Sequence, residues 1–244
     1  MKIIIAENYE QMSKISADII KETVQKNPTA VLGLATGSTP IGMYKELIKM
    51  NQNNEIDFSR ISTVNLDEYV GLSGEDYQSY RYFMDNNLFN HINIDKRNTF
   101  IPSGVEDNYE QECKNYDVKI EELGGIDLQV LGIGANGHIG FNEPADILTY
   151  GTHKTSLAES TISSNSRFFK SIEEVPRYAI TMGVGMIMHS KKIILMVKGN
   201  DKAKAVKQII DGEITTKNPA TMLQLHRDVN VIIEKQVYDS ICKL

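Results

Sequence analysis

Cysteine is scarce in this chain. Only Cys113 and Cys242 occur in 244 residues, and an α/β unit of that length buries a sizeable core without disulfides or metals. Cys113 shares a helical apolar face with Tyr109, Tyr116, Ile120 and Leu123, which reads as a buried reduced thiol rather than a nucleophile. Long apolar runs are missing too. None approaches membrane-spanning length, and Ile3-Ile4-Ile5 is too short for a signal-peptide core. The expected location is the cytoplasm, with no membrane partner. Basic charge is in deficit: 26 Lys and Arg stand against 32 Asp and Glu, a formal net charge of −6. That balance argues against nucleic acid and anionic membranes as main partners, so an anionic substrate would need a local basic pocket. Internal repeats, low-complexity tracts and Pro/Ser-rich linkers are also absent. The whole of 1–244 is expected to form a single catalytic domain.

What is present is an alternation. The balance of 41% hydrophobic and 24% charged residues suits a soluble globular enzyme. Strand candidates fall at 2–6, 30–35, 61–66, 126–133, 178–182, 191–198 and 229–234. Several are continuous β-branched and aliphatic runs, as expected of parallel strands covered on both faces. Between them lie helical periodicities: Tyr9, Met12, Ile15, Ile19 and Val24; Met43, Leu47 and Met50; Ala203, Val206 and Ile210. The pattern predicts a doubly wound α/β fold, one mostly parallel sheet flanked by helices. The polar segment 145–175 breaks the rhythm and shows no clear structure of its own, which marks a mobile lid or binding loop over about 150–175.

The densest chemistry lies in residues 131–144, LGIGANGHIGFNEP. An apolar strand runs into a glycine-rich turn carrying His138, with Glu143 five positions on and fixed by Pro144. This is how an open α/β sheet presents acid–base groups. Gly132, Gly134 and Gly137 match the bare dinucleotide pattern, but no helix opens at the third glycine, so a nicotinamide cofactor is not expected. A carboxylate near the imidazole can fix its tautomer and raise its pKa. A metal is not expected: His138 and Glu143 lack helical ligand spacing, and no second His or Cys lies nearby. His91, His153, His189 and His226 have ordinary neighbours and read as surface or structural.

Three further stretches end strands or adjoin them. In LGLATGSTP (32–40), Thr36, Gly37, Ser38 and Thr39 lead into a helix with Pro40 at its first position. The loop reads equally as a phosphate cradle or as a plain helix cap with Ser38 or Thr39 as N-cap. No Gly-Lys-Ser/Thr follows, so a nucleoside triphosphate is not expected. In NLDEYVGL (65–72) a strand delivers Asp67 and Glu68 at its carboxyl end. Adjacent residues on an extended chain point to opposite sides, so at most one faces a given pocket; alternatively both are solvated turn acids. Arg167 in NSRFF lies in the expected lid, and Lys202 follows strand 191–198. Each is an anion anchor or an ordinary surface cation. Together these groups suit proton transfer on a phosphorylated small molecule, with no cofactor.

Taken in order, LGLATGSTP, VNLDEYVGL, GIGANGHIGFNEP, NSRFF and LQLH (223–226) make the chain resemble the glucosamine-6-phosphate deaminases from the first strand nearly to the end. The resemblance implies a Rossmann-like fold, glucosamine 6-phosphate as substrate, and fructose 6-phosphate and ammonia as products of an isomerase-hydrolase acting on a C–N bond. It implies that Asp67 is the base moving a proton between carbons 2 and 1, that His138 assists ring opening, and that Glu143 orients it. Asn136 stands where many members have aspartate. Thr36, Gly37, Ser38, Thr39, Arg167 and Lys202 would hold the phosphate. No metal or organic cofactor is implied.

Some members of that family are hexamers activated by N-acetylglucosamine 6-phosphate through basic residues after the FNEP motif and a longer C-terminal tail. Here His153 and Lys154 are present, Thr155 stands where a second cation is expected, and the sequence stops at Leu244. The resemblance therefore implies hyperbolic kinetics and a monomer or small homo-oligomer. Two alternatives stand beside it: a 6-phosphogluconolactonase-like hydrolase, which FNEP and NLDEYVGL disfavour, and a sugar-phosphate sensor domain of a transcription regulator, which would need a DNA-reading helix pair.

Overall fold

The longest apolar runs become parallel strands. In a computed structural model, which describes residues 1–244 apart from the side chains of Ser164 and Phe168, six of them form one sheet with a seventh strand of two residues that the apolar pattern does not mark. These are β1 (Lys2–Ala6), β2 (Val31–Leu34), β3 (Ser62–Asn65), β5 (Thr99–Phe100), β6 (Leu128–Leu131), β9 (Lys192–Val197) and β10 (Val229–Glu234). Their order is β1-β10-β9-β6-β2-β3-β5, with every pairing parallel. Helices α1 (Tyr9–Lys26), α2 (Ile41–Gln52), α3 (Tyr80–Asn87), α4 (Tyr109–Glu122), α7 (Ala203–Asp211) and α8 (Lys235–Ile241) accompany it. Two further helices, α5 (Glu159–Asn165) and α6 (Val184–Met188), also lie in the second half.

Local chemistry explains the helices. Asn8 caps α1 by accepting from the Gln11 N–H at 2.9 Å, satisfying a donor the helix itself cannot. The helix then buries Met12, Ala17, Ile20 and Val24 on one face. The central strands are buried throughout: Ile193 to Val197 in β9 and Val231 to Ile233 in β10 are almost wholly removed from water. Each such side chain contributes about 1.5–3 kcal/mol of burial energy. No helix is long and apolar enough to cross a membrane among the described residues.

Connectivity decides where a ligand fits. From β2 the chain moves outward through β3 to β5, then returns to β6 on the other side of β2. The loops leaving β2 and β6 thus diverge, opening the crevice at the carboxyl ends that open α/β sheets use for ligands.

The structure corrects the sequence reading in three places. The strand at 178–182 forms, as β8 (Tyr178–Thr181), but not in the parallel sheet. It is the middle of a separate antiparallel sheet, between β4 (Asp67–Tyr69) and β7 (His153–Ser156). Segment 145–175 is not structureless: it holds β7, α5 and 3₁₀ turns at Ser166–Phe168 and Ile172–Glu174. Its polar sequence hides this because β7 alternates only between half-buried and exposed residues, and its ladder comes from β8. Pro40 immediately precedes α2 in helical torsions, and neither Ser38 nor Thr39 caps that helix.

Candidate active site

Leu66 is the pivot that places Asp67. Its N–H donates to Leu34 O of the parallel sheet at 3.1 Å, and its carbonyl accepts from Met182 N beyond β8 at 2.7 Å. The chain thereby leaves one sheet and enters the other within a single residue, and β4 starts at Asp67. Strand alternation then separates the two acids. Asp67 and Tyr69 line a cavity of about 480 Å³ at the crevice. Glu68 points the opposite way and accepts from the N–H groups of Tyr69, Tyr80 and Arg81 at 2.8–3.0 Å, capping the start of α3. Neither acid is a solvated turn residue: Asp67 is 6% exposed and Glu68 2%.

The second acid–base group follows β6. His138 Nδ1 is buried 3.3 Å from Glu143 Oε2, which leaves Nε2 for the cavity. Asn136 Nδ2 donates to the same Oε2 at 2.7 Å, while its Oδ1 accepts from the His138 backbone N–H at 3.2 Å. Asn136 therefore orients Glu143 and the backbone rather than touching the imidazole. Thr161 Oγ1 donates to the other oxygen, Oε1. The turn between His138 and Glu143 is tied to the end of β8: Phe141 N donates to Thr181 Oγ1 at 3.0 Å, and Asn142 Nδ2 to Met182 O at 2.9 Å. Gly134 is required by close approach. A Cβ there would lie 2.3–2.6 Å from the His138 ring.

The loop 36–39 completes the cavity floor. Gly37 holds φ +89° with open space where a Cβ would be, a backbone that side chains rarely adopt. Tyr9 braces this loop. Its hydroxyl lies 3.1 and 3.0 Å from Ser38 O and Thr39 O and accepts from Gly42 N at 2.8 Å. Lys202 and Arg167 line the same cavity, Lys202 in an ion pair with Asp201. Thr36 to Thr39, Asp67, Asn136, His138, Arg167 and Lys202 line this one cavity, and Glu143 reaches it through His138. The other histidines hold structure: His226 Nε2 meets Ser190 O at 2.7 Å, and His153 Nδ1 meets Gly151 O at 3.0 Å. No group of three or more His, Cys, Asp or Glu is arranged to hold a metal ion among the described residues.

Sequence and structure comparisons show which known proteins this chain is similar to. The sequence model for glucosamine-6-phosphate isomerases/6-phosphogluconolactonase matches residues 6–233. The chain belongs to that family. It is 60% identical to a glucosamine-6-phosphate deaminase of Clostridium beijerinckii, over 99% of this chain and 100% of the relative. A deaminase of Thermoanaerobacter sp. is 58% identical, over 97% and 93%. The solved structure of a monomeric glucosamine-6-phosphate deaminase superposes with a TM-score of 0.96 at 44% identity, over 98% and 100%. A 6-phosphogluconolactonase from Thermotoga maritima shares the fold alone, with a TM-score of 0.76 at 18% identity, over 96% and 99%.

Within this family member the two carboxyls that matter sit in opposite environments. Burial, with the Glu68 charge beside it, pushes Asp67 up to about 8; among the described residues no hydrogen-bond donor meets it. Glu143 is partly buried, which alone would raise it, but His138, Thr161 and Asn136 outweigh that and hold it at about 2. Environments that drive two acids apart in this way separate a proton acceptor from a fixed charge. Sequence reasoning missed Tyr9, Tyr69, Thr161 and Asn165. Tyr69 lies inside the NLDEYVGL motif and Asn165 opens NSRFF, though neither was singled out; Thr161 carries no signal, because its partner is 18 residues away.

Two outcomes test this geometry. Gly134→Ala should displace the imidazole and lower turnover more than about tenfold while the melting temperature stays within a few degrees; an alanine variant of normal turnover contradicts the close approach. Asp67→Asn should reveal the cost of the buried acid. Because folding raises Asp67 from about 4 to about 8, wild-type stability is lost progressively as pH climbs between those values. The asparagine variant should therefore melt higher than wild type above about pH 8, with the advantage shrinking toward about pH 5. Calorimetry at both pH values reads this, and a pH-independent difference overturns it.

Proposed function

We propose that the protein converts glucosamine 6-phosphate to fructose 6-phosphate and ammonia in the cytoplasm. The carrying observation is one cavity that joins Asp67, the His138–Glu143 pair and the 36–39 loop with Lys202 and Arg167. The named activity of the relatives at 58–60% identity supports the same reading.

The residue types match the steps. A cyclic sugar cannot isomerise until its ring opens, and His138, held by Glu143, exchanges the proton at the ring oxygen. Asp67 then takes the proton from carbon 2, next to the new carbonyl, and delivers it to carbon 1. The enolamine becomes an imine at carbon 2, which adds water and releases ammonia. A carboxyl raised toward neutrality is suited to accept and return a proton. The phosphate, held by Thr36 to Thr39, Lys202 and Arg167, supplies remote binding energy that orients the reacting carbons. Segment 150–175 serves as the lid over this cavity. Its arm projects from the β7–β8 hairpin, so closure keeps Arg167 near the phosphate.

The protein acts as a monomer or small homo-oligomer without activation by a second sugar phosphate. On β7, His153 and Thr155 share one side of the strand, and Lys154 lies on the other. Its Nζ sits 4.4 Å from the Tyr109 ring centre and 5.0 Å from that of Tyr178, an aromatic clasp that keeps the charge away from His153. A phosphate on the His153 side meets no second cation from β7.

Purified protein incubated with glucosamine 6-phosphate should release ammonia and fructose 6-phosphate in equal amounts. Asp67→Asn should lower kcat at least about a hundredfold while substrate binding persists; a folded variant with normal turnover contradicts the assignment. Rate curves should be hyperbolic and unchanged by N-acetylglucosamine 6-phosphate. A sigmoidal curve that this compound converts to a hyperbola overturns that expectation.

A further inference from the structure

Two side chains of α5 reach the catalytic apparatus, and the mechanism above uses neither. Thr161 and Asn165 are four residues apart and so share a face of the helix. Thr161 is buried and donates to Glu143 Oε1. Asn165 Nδ2 donates to the Tyr69 hydroxyl at 2.9 Å, two residues beyond Asp67. One helical turn thus touches both the strand of the proposed base and the partner of the proposed acid. Its seat is a small apolar cluster separate from the main core, in which Leu157, Ile162 and Val175 pack with Tyr69 and Phe141.

The Glu143 carboxylate explains why this contact has consequences. Its Oε2 faces His138 Nδ1 and receives the Asn136 amide. Its Oε1 is held by Thr161 alone among the described residues. The last torsion of a glutamate side chain is broad and nearly two-fold, so a bond on one oxygen leaves the carboxylate plane free to turn, and bonds on both lock it. With the plane locked, Oε2 stays aimed at Nδ1 and the imidazole keeps one orientation. The locking bond comes from the 157–177 excursion, not from the parallel-sheet scaffold that carries His138.

We propose that Thr161 is a positioning residue whose hydroxyl ties the seating of α5 to the orientation of the Glu143–His138 pair. The excursion then does more than cover the cavity: the ring-opening group is aligned when α5 is in place and loosened when it lifts. This rests on the deaminase reading, because the consequence is read in turnover of the amino-sugar phosphate.

The test is a double-mutant cycle. Thr161→Val replaces the hydroxyl by a methyl of similar size, and Thr161→Ser keeps the hydroxyl. Each is made alone and in a Glu143→Gln background. Thr161→Val should lower kcat about tenfold with KM within about threefold of wild type. Thr161→Ser should recover kcat to within about threefold of wild type. In the Glu143→Gln background, Thr161→Val should change kcat less than about threefold, because the group it acts through is already altered. Wild-type kcat in Thr161→Val, an equal loss in Thr161→Ser, or a full repeat of the loss in the Glu143→Gln background each overturns the proposal. Thr161→Ala carries the same comparison if the valine does not fold. A wild-type protein that releases no ammonia defeats the deaminase reading instead, and does so before any variant is compared.

Discussion

A carboxylic acid buried with no hydrogen-bond donor among the described residues is the constraint around which this molecule is arranged. Removing an unpaired carboxylate from water is expensive, and burial moves the pKa of such a group upward toward the range in which it can take up a proton. Asp67 can occupy that position only because its backbone is held from both sides. Leu66 is bonded into the parallel sheet through its N–H and to the residue after β8 through its carbonyl. Glu68, with three backbone donors, anchors the next residue to the start of α3. The two neighbouring acids thus divide the work: Glu68 fastens the strand, and Asp67 is left bare toward the cavity.

The antiparallel sheet follows from the same need. β4 pairs with β8 at Asp67↔Thr181, and β7 pairs with β8 on its other side. The stem of the excursion whose residues line one wall of the cavity is therefore hydrogen-bonded to the strand that bears the acid. Thr181 contributes twice, as the ladder partner of Asp67 and through its hydroxyl, which accepts from Phe141 N in the turn that carries Glu143. Acid, imidazole loop and excursion share one mechanical support beside the main sheet.

Most of the parallel scaffold was legible because its strands are continuous apolar runs that announce themselves without tertiary information. The strand-end loops were legible for a related reason. Glycines, a proline and isolated titratable residues at the end of an apolar run suit a ligand-binding loop better than a packed element. His138, Asp67 and Thr36 to Thr39 all lie on the cavity. The antiparallel sheet was not legible. β4 has three residues, and β7 reads HKTS, with no apolar face to mark it. Both exist because β8 lies between them, and β4 and β7 are more than 80 residues apart in the chain. Thr161 was hidden for the same reason: a hydroxyl on a short polar helix gains meaning only from what it touches.

Asn136 shows how little charge the imidazole loop requires. The resemblance places an aspartate there in many family members. In this chain the amide does two things a carboxylate cannot do together: it donates to Glu143 Oε2 and accepts from the His138 backbone N–H. Glu143, held at about 2, is already ionised across any working pH. A second carboxylate within hydrogen-bonding distance of it would force the two to compete for a proton. The neutral amide avoids that competition and leaves Glu143 as the anion in direct contact with the imidazole. The ring's orientation and its electrostatic partner are then set by one side chain, and whatever positions Glu143 positions the His138 imidazole at the cavity.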